Sequence, residues 1–184
     1  MTRFNMRTIL GITFVLFAAV VCAEDVTWHE GSVVLASKEV VVGQIARQSH
    51  ELLLLKNAKG EVSVLPAHKV CSFRYYDRDK NVNRIFITAS NKFFERVVSG
   101  KISVWRIQKF FDQNIDEENT DLYDFFIEDE KTIYSLNSFR RKFFGRIKDE
   151  LELNLVSYKH LDPNTRYGAL SLIVLYNKST RAII

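Results

Sequence analysis

From Trp28 to Gln108 the chain runs as short apolar segments broken by turn-prone residues, with apolar and polar positions alternating inside the segments. A period of two places successive side chains on opposite faces of a strand, so this stretch predicts antiparallel sheet. Ser32–Leu35 and Val40–Ala46 flank Ala36-Ser37-Lys38, while Leu52–Lys56 and Glu61–Leu65 flank Asn57-Ala58-Lys59-Gly60. Gly60 supplies the positive φ that a tight connection favours. Lys69–Asp77 is closed by the polar turn Arg78-Asp79-Lys80-Asn81 and answered by Asn83–Thr88. Phe93–Val98 and Lys101–Gln108 join at Ser99-Gly100, and on the second arm Ile102, Val104 and Arg106 alternate with Ser103, Trp105 and Ile107. Leu122–Ile127 and Thr132–Leu136 read as a further hairpin, turned through Glu128-Asp129-Glu130-Lys131.

At Ser138 the period changes. Phe139, Phe143, Phe144, Ile147, Leu151 and Leu155 recur at the three-to-four spacing of one helical face, with Ser138 as the expected N-cap. Asp162-Pro163 reads as an N-cap followed by proline in the first turn of a second helix running to Asn177. The apolar run of that segment also fits a buried strand; the start signal favours helix. The expected class is α+β: an antiparallel β meander or partly open barrel of about eight to ten strands followed by two C-terminal helices.

The first residues carry a different signal. Arg3 and Arg7 precede the apolar run Ile9–Val21, and the small residue Ala23 stands before Glu24-Asp25. That order is the pattern of a secretory signal peptide over residues 1–23 with cleavage after Ala23. It leaves one exported domain at 24–184, β-rich over 24–136 and helical over 137–184. The uncharged run is shorter than the roughly 20 residues a spanning helix needs, which disfavours an uncleaved anchor. Cys22 offers an alternative, lipidation of a bacterial lipoprotein, in which case the protein stays on a membrane. Cys71 is then the one cysteine of the mature chain, so no internal disulfide forms and the fold relies on its core. A lone cysteine in an apolar strand is ordinarily a small buried hydrophobe, and His68 tends to the opposite face, so a catalytic pair is not expected.

With 184 residues, 47% of them apolar, 26% charged and only 2 proline, the chain is long and apolar enough to bury a core without metal or crosslink. Its charge is uneven. Asp112–Glu130 holds nine acidic residues and no basic one, whereas the rest of the chain from Glu24 sets 24 basic residues against 13 acidic ones. Such asymmetry can dock one face on a partner or an anionic envelope surface, although a solvated acidic loop is the commoner reason. Export makes nucleic acid an unexpected partner, and a membrane is expected only if Cys22 is lipidated.

Candidate chemistry is sparse. The four histidines stand at least 18 residues apart, and no Walker, Rossmann or nucleophile-elbow pattern occurs. Asp112-x-Asn114-x-Asp116 has the alternate spacing of oxygen ligands for calcium, but Glu117 holds the place of the template's glycine and Tyr123 that of its bidentate glutamate. Asp112, Asn114 and Asp116 are thus weak calcium candidates, and no cofactor, committed metal site or catalytic residue is expected. The Phe93-Phe94, Phe110-Phe111, Phe125-Phe126 and Phe143-Phe144 pairs do carry information. On a strand each pair turns one ring to the core and the other to a second surface that something must cover. The basic segment Arg140–Arg146 could rest on an anionic membrane or simply be solvated.

Trp28-x-x-Gly31-x-Val33-x-Leu35, Val41-x-Gly43-x-Ile45, the strand Ser72-Phe73-Arg74-Tyr75-Tyr76-Asp77 and a closing helix ending in Tyr176-Asn177 follow in an order that resembles exported proteins of Bacteroidota-type bacteria, of unknown function. The resemblance implies an exported compartment and a β-rich fold; it supplies no activity and no site residue. The leading expectation is a non-enzymatic domain of the bacterial envelope that binds an unknown protein or surface. A carrier or sensor of an apolar small molecule, held between sheet and helices, is the alternative. A hydrolase whose residues converge only in three dimensions ranks third.

Overall fold

The computed structural model describes residues 26–112, 117–129 and 132–181. The segment read as a signal peptide, with Cys22 and Ala23, lies outside them, as do Asn114 and Asp116. Ten strands follow one another: β1 (His29–Leu35), β2 (Val40–Arg47), β3 (Leu52–Lys56), β4 (Val62–Pro66), β5 (Val70–Asp77), β6 (Val82–Ala89), β7 (Lys92–Val98), β8 (Ile102–Gln108), β9 (Tyr123–Asp129) and β10 (Thr132–Ser135). The helices are α1 (Phe139–Lys142), α2 (Phe144–Leu153) and α3 (Arg166–Arg181). The α+β class and the antiparallel pairing expected from the period-two pattern are both present.

All ten strands form one antiparallel sheet in the order β10-β9-β8-β7-β6-β5-β1-β2-β3-β4. Pairing is sequential except at one place: β5 returns to the free side of β1 instead of pairing with β4, through a short 3₁₀ turn at Ala67–Lys69. The sheet therefore departs from a pure meander there. It also curls without closing. The Phe93 N–H at the start of β7 donates to the His50 carbonyl in the β2–β3 connection (2.8 Å), and the Ala67 N–H donates to the Glu51 carbonyl (2.8 Å).

Cross-strand register puts Ile45, Val33, Phe73, Phe86, Glu95, Arg106 and Phe125 on one continuous face. That concave face carries two separate cores. The first fills the curled half with Val33, Ile45, Leu53, Leu55, Val70, Phe73, Phe86 and Phe93. The second joins Ile102, Val104, Tyr123, Phe125 and Ile127 of β8 and β9 to Phe139, Phe143, Ile147, Leu151, Leu172, Ile173 and Tyr176 of the helices. Burial of these side chains, at about 25 cal/mol per Å² of apolar surface, is the main force holding helices to sheet.

The helices differ from expectation at their ends. Ser138 makes no capping bond; Ser135 instead accepts from the Asn137 N–H of a 3₁₀ turn, and Phe143 stands between α1 and α2. Leu155, expected on the buried face, is the left-handed residue (φ 54°) past the end of α2 and is 93% exposed. The Val156 N–H donating to the Leu151 carbonyl closes that helix end. The second helix forms as a helix, not a strand, but starts at Arg166. Asp162 holds an Asx turn by accepting from the Asn164 N–H, and Thr165 is the N-cap, its Oγ1 accepting from the Gly168 N–H at 3.0 Å. A Cβ at Gly168 would meet the Asp162 carbonyl oxygen at 1.9 Å, so the turn and the helix approach this closely only with glycine there.

Asn177 ties helix α3 to the sheet. Asn177 is buried, accepts from the Ile102 N–H (3.0 Å) and donates to the Ile102 carbonyl (2.7 Å). Gly100 makes room for it, since a Cβ there would lie 2.3 Å from the Asn177 side-chain carbon. On the opposite, convex face Phe94 and Phe126 meet edge to face at 5.5 Å, so the outward rings of two Phe-Phe pairs cover each other. The other two pairs behave differently: Phe143 enters the helical core with Phe144 packed against it, while Phe110 is exposed and Phe111 folds back over the concave face.

Candidate functional site

Between the two cores the concave face is not apolar. Strands β5 to β8 each place one charged residue there: Asp77, Arg84, Glu95 and Arg106. Alternation dictates it, because each stands two residues from an inward ring or aliphatic side chain, Tyr75, Phe86, Phe93 and Val104 respectively. Arg84 is 8% exposed and Asp77 7% exposed, so these charges persist only because they satisfy one another.

The pairing is complete at Arg84. Its Nε donates to Asp77 Oδ2 (2.7 Å), Nη1 donates to Glu95 Oε1 (2.6 Å) and to Glu117 Oε2 (3.1 Å), and Nη2 donates to Glu117 Oε1. Arg106 repeats the pattern: Nε donates to Glu95 Oε2 (2.8 Å) and Nη2 to Glu117 Oε2 (2.8 Å). Glu95 and Glu117 thus each bridge both guanidinium groups, Glu95 from the strand and Glu117 from the β8–β9 connection. Arg106 also stacks 4.3 Å from the centre of the Tyr123 ring. Arg47 of β2 lies over Phe86 (4.9 Å) and Phe111 (5.2 Å), and Gln108 accepts from it at 3.4 Å.

These groups surround a cavity of 420 Å³, with Tyr75, Phe86, Phe93, Phe111 and Tyr123 as its aromatic walls. Electrostatics hold Asp77 and Glu117 ionised. Burial pushes both Asp77 and Glu117 up, but donors from Arg84, joined by the Lys80 N–H at Asp77 and by Arg106 at Glu117, outweigh it and hold both below the ordinary carboxylate range. Burial lowers Arg84 too, and its carboxylate partners more than reverse that; Tyr75 is pushed up to about 12 by burial. Asp77 and Glu117, held this low, are poor proton donors near neutral pH, and the remaining lining includes Thr27, His29 and Lys80. The arrangement can bind and orient charge.

Of the residues singled out in the sequence, Phe93 and Phe111 of the aromatic pairs and Asp112 of the calcium candidates line the cavity. Asp112 borders the cavity, its main-chain carbonyl accepting from Gln108 Nε2 (2.9 Å), while Asn114 and Asp116 lie outside the described residues. Among the described residues no group of three or more histidine, cysteine or acidic side chains is placed to hold a metal. Arg106 stood in the sequence only as an alternating position of β8. Cys71 is half-buried with its Sγ 3.6 Å from Lys38 Nζ, and His68 is exposed in the preceding turn. The basic segment is partly used internally, Arg140 donating to Asn164, Arg146 pairing with Asp129 and Lys142 standing over Tyr134. Of the acidic run, Glu117 is only partly solvated; it is drawn into the arginine pair. Asp77, Arg84, Glu95 and Glu117 escaped the sequence reading. For Asp77, Arg84 and Glu95 the signal was an inward-phase charge two residues from an aromatic anchor; Glu117, in a connection, carried none.

Compared with protein-family models, curated proteins and solved structures, the chain matches none. Among the described residues no helix is long and apolar enough to cross a membrane.

Proposed function

We propose that the chain is an exported, non-enzymatic binding domain of a bacterial envelope, and that it binds through its concave sheet face at the charged cavity between the two cores. Export is supported by Arg3 and Arg7, the apolar run Ile9–Val21 and Ala23. The binding reading rests on the cavity. Its 420 Å³ falls within the roughly 300–1,000 Å³ of small-ligand sites, and four adjacent strands hold Asp77, Arg84, Glu95 and Arg106. Side chains on paired strands keep their geometry better than side chains on loops. The charged floor suits a polar or ionic ligand better than a wholly apolar cargo.

The test is an amide NMR titration of the protein purified from an exporting bacterial host, using small carboxylates, small amines and neutral aromatic compounds as probes. The reading predicts that one class shifts Tyr75, Arg84, Glu95 and Arg106 saturably. Shifts confined to the convex face, or none with any probe, overturn it.

A further inference from the structure

We propose that Arg84 and Arg106 form a binding site for small organic carboxylates, which the side chain of Glu117 occupies in cis. This deepens the cavity reading and depends on it. The two arginines are positioned without Glu117: Asp77 holds Arg84 Nε (2.7 Å), and Glu95 ties Arg84 Nη1 to Arg106 Nε (2.6 and 2.8 Å). All four of those residues sit on strands. Their opposed Nη donors are left to the cavity, and there they take the two oxygens of one carboxylate. A planar acceptor bridging two guanidinium forks is the geometry of carboxylate recognition.

Glu117 stands apart from its partners. It belongs to a connection and not to a strand, and its side chain is 29% exposed where those of Arg84, Glu95 and Arg106 are 8–11% exposed. Its carboxylate is therefore the member of the network that can leave without moving a strand. Charge selects the class of ligand that replaces it. The strand-held frame of two arginines, Asp77 and Glu95 is neutral and Glu117 adds one negative charge, which a monocarboxylate replaces one for one. A phosphate dianion would bring twice that charge up against Glu95 and Asp77. Phe111 and Tyr123 line the same cavity and offer apolar surface to the rest of the molecule.

Glu117→Ala vacates the carboxylate position. The measurement is the thermal midpoint of the full chain, wild type and variant, as acetate replaces chloride at constant ionic strength, with inorganic phosphate as a second arm. The variant is expected to lose stability and recover it saturably with acetate, binding acetate at least about tenfold more tightly than the wild type, in which the competent state is the fraction with Glu117 displaced. Equal responses of variant and wild type overturn the proposal, as does phosphate restoring as much as acetate. If the variant does not fold, the wild type decides: acetate must shift the Nε–H signals of Arg84 and Arg106, and their constancy overturns the proposal. Amines or neutral probes binding the cavity while acetate does not would sink the carboxylate site alone. No binding by any probe sinks the cavity reading with it.

Discussion

His50, Asp77 and Glu117 make the protein's response to acid a property of single side chains. Burial, with Arg47 and Lys92 near it, pushes the His50 imidazole below its ordinary value, and its buried Nε2 has no hydrogen-bond partner among the described residues. Asp77 and Glu117 are likewise held low, against their burial, by arginine donors. In all three the folded state binds protons less readily than the unfolded chain. Stability is then complete above the unfolded values, about 6.5 for histidine and about 4 for the carboxyls, and falls as pH drops through the folded ones. The urea midpoint is expected to decline modestly from pH 7 to 5 and steeply below about pH 4, with Glu117→Gln flattening the steep part. A midpoint that stays level into acid would show that these groups do not couple to folding.

At the scale of elements, the ends of the helices are set by turn chemistry that sequence spacing left open. Two serine/threonine positions make the distinction testable. Thr165 caps α3 through the Gly168 N–H, whereas Ser138 makes no side-chain bond to α1. Thr165→Ala should cost about 1 kcal/mol of unfolding free energy and Ser138→Ala well under half of that, measured by chemical denaturation. Equal costs would contradict the assignment. The strands were far more legible than the helix ends. All ten hairpin arms stand within a few residues of where alternation put them, because period two is a local steric property of extended chain. The end of α2 was misplaced for a physical reason: Leu155 fits the apolar stripe by spacing, yet the chain turns left-handed there and Val156 closes the helix instead.

For the whole molecule, one sheet carries two cores on the same face, with an ionic seam between them. The helices cover only the β8–β9 half. The exported reading makes its own prediction at this scale. Expressed in a bacterium that processes signal peptides, the chain should be recovered with an intact mass that begins at Glu24. A diacylglyceryl-modified Cys22 would instead place the domain on a membrane, and an unprocessed chain in the cytoplasm would overturn export. Strand positions, the change of period at Ser138 and the N-terminal pattern were present in the residues themselves, since each depends on neighbours a few positions away. The return of β5 to β1, the curl that brings His50 to Phe93, and the meeting of Asp77, Arg84, Glu95, Arg106 and Glu117 were not. Those depend on contacts between residues up to some forty positions apart, such as Ser32 with Arg74, and no local period encodes them. The charges of the seam read singly as solvated strand residues. Only the packing of two cores on either side shows that they are buried, mutually satisfied and gathered around one cavity.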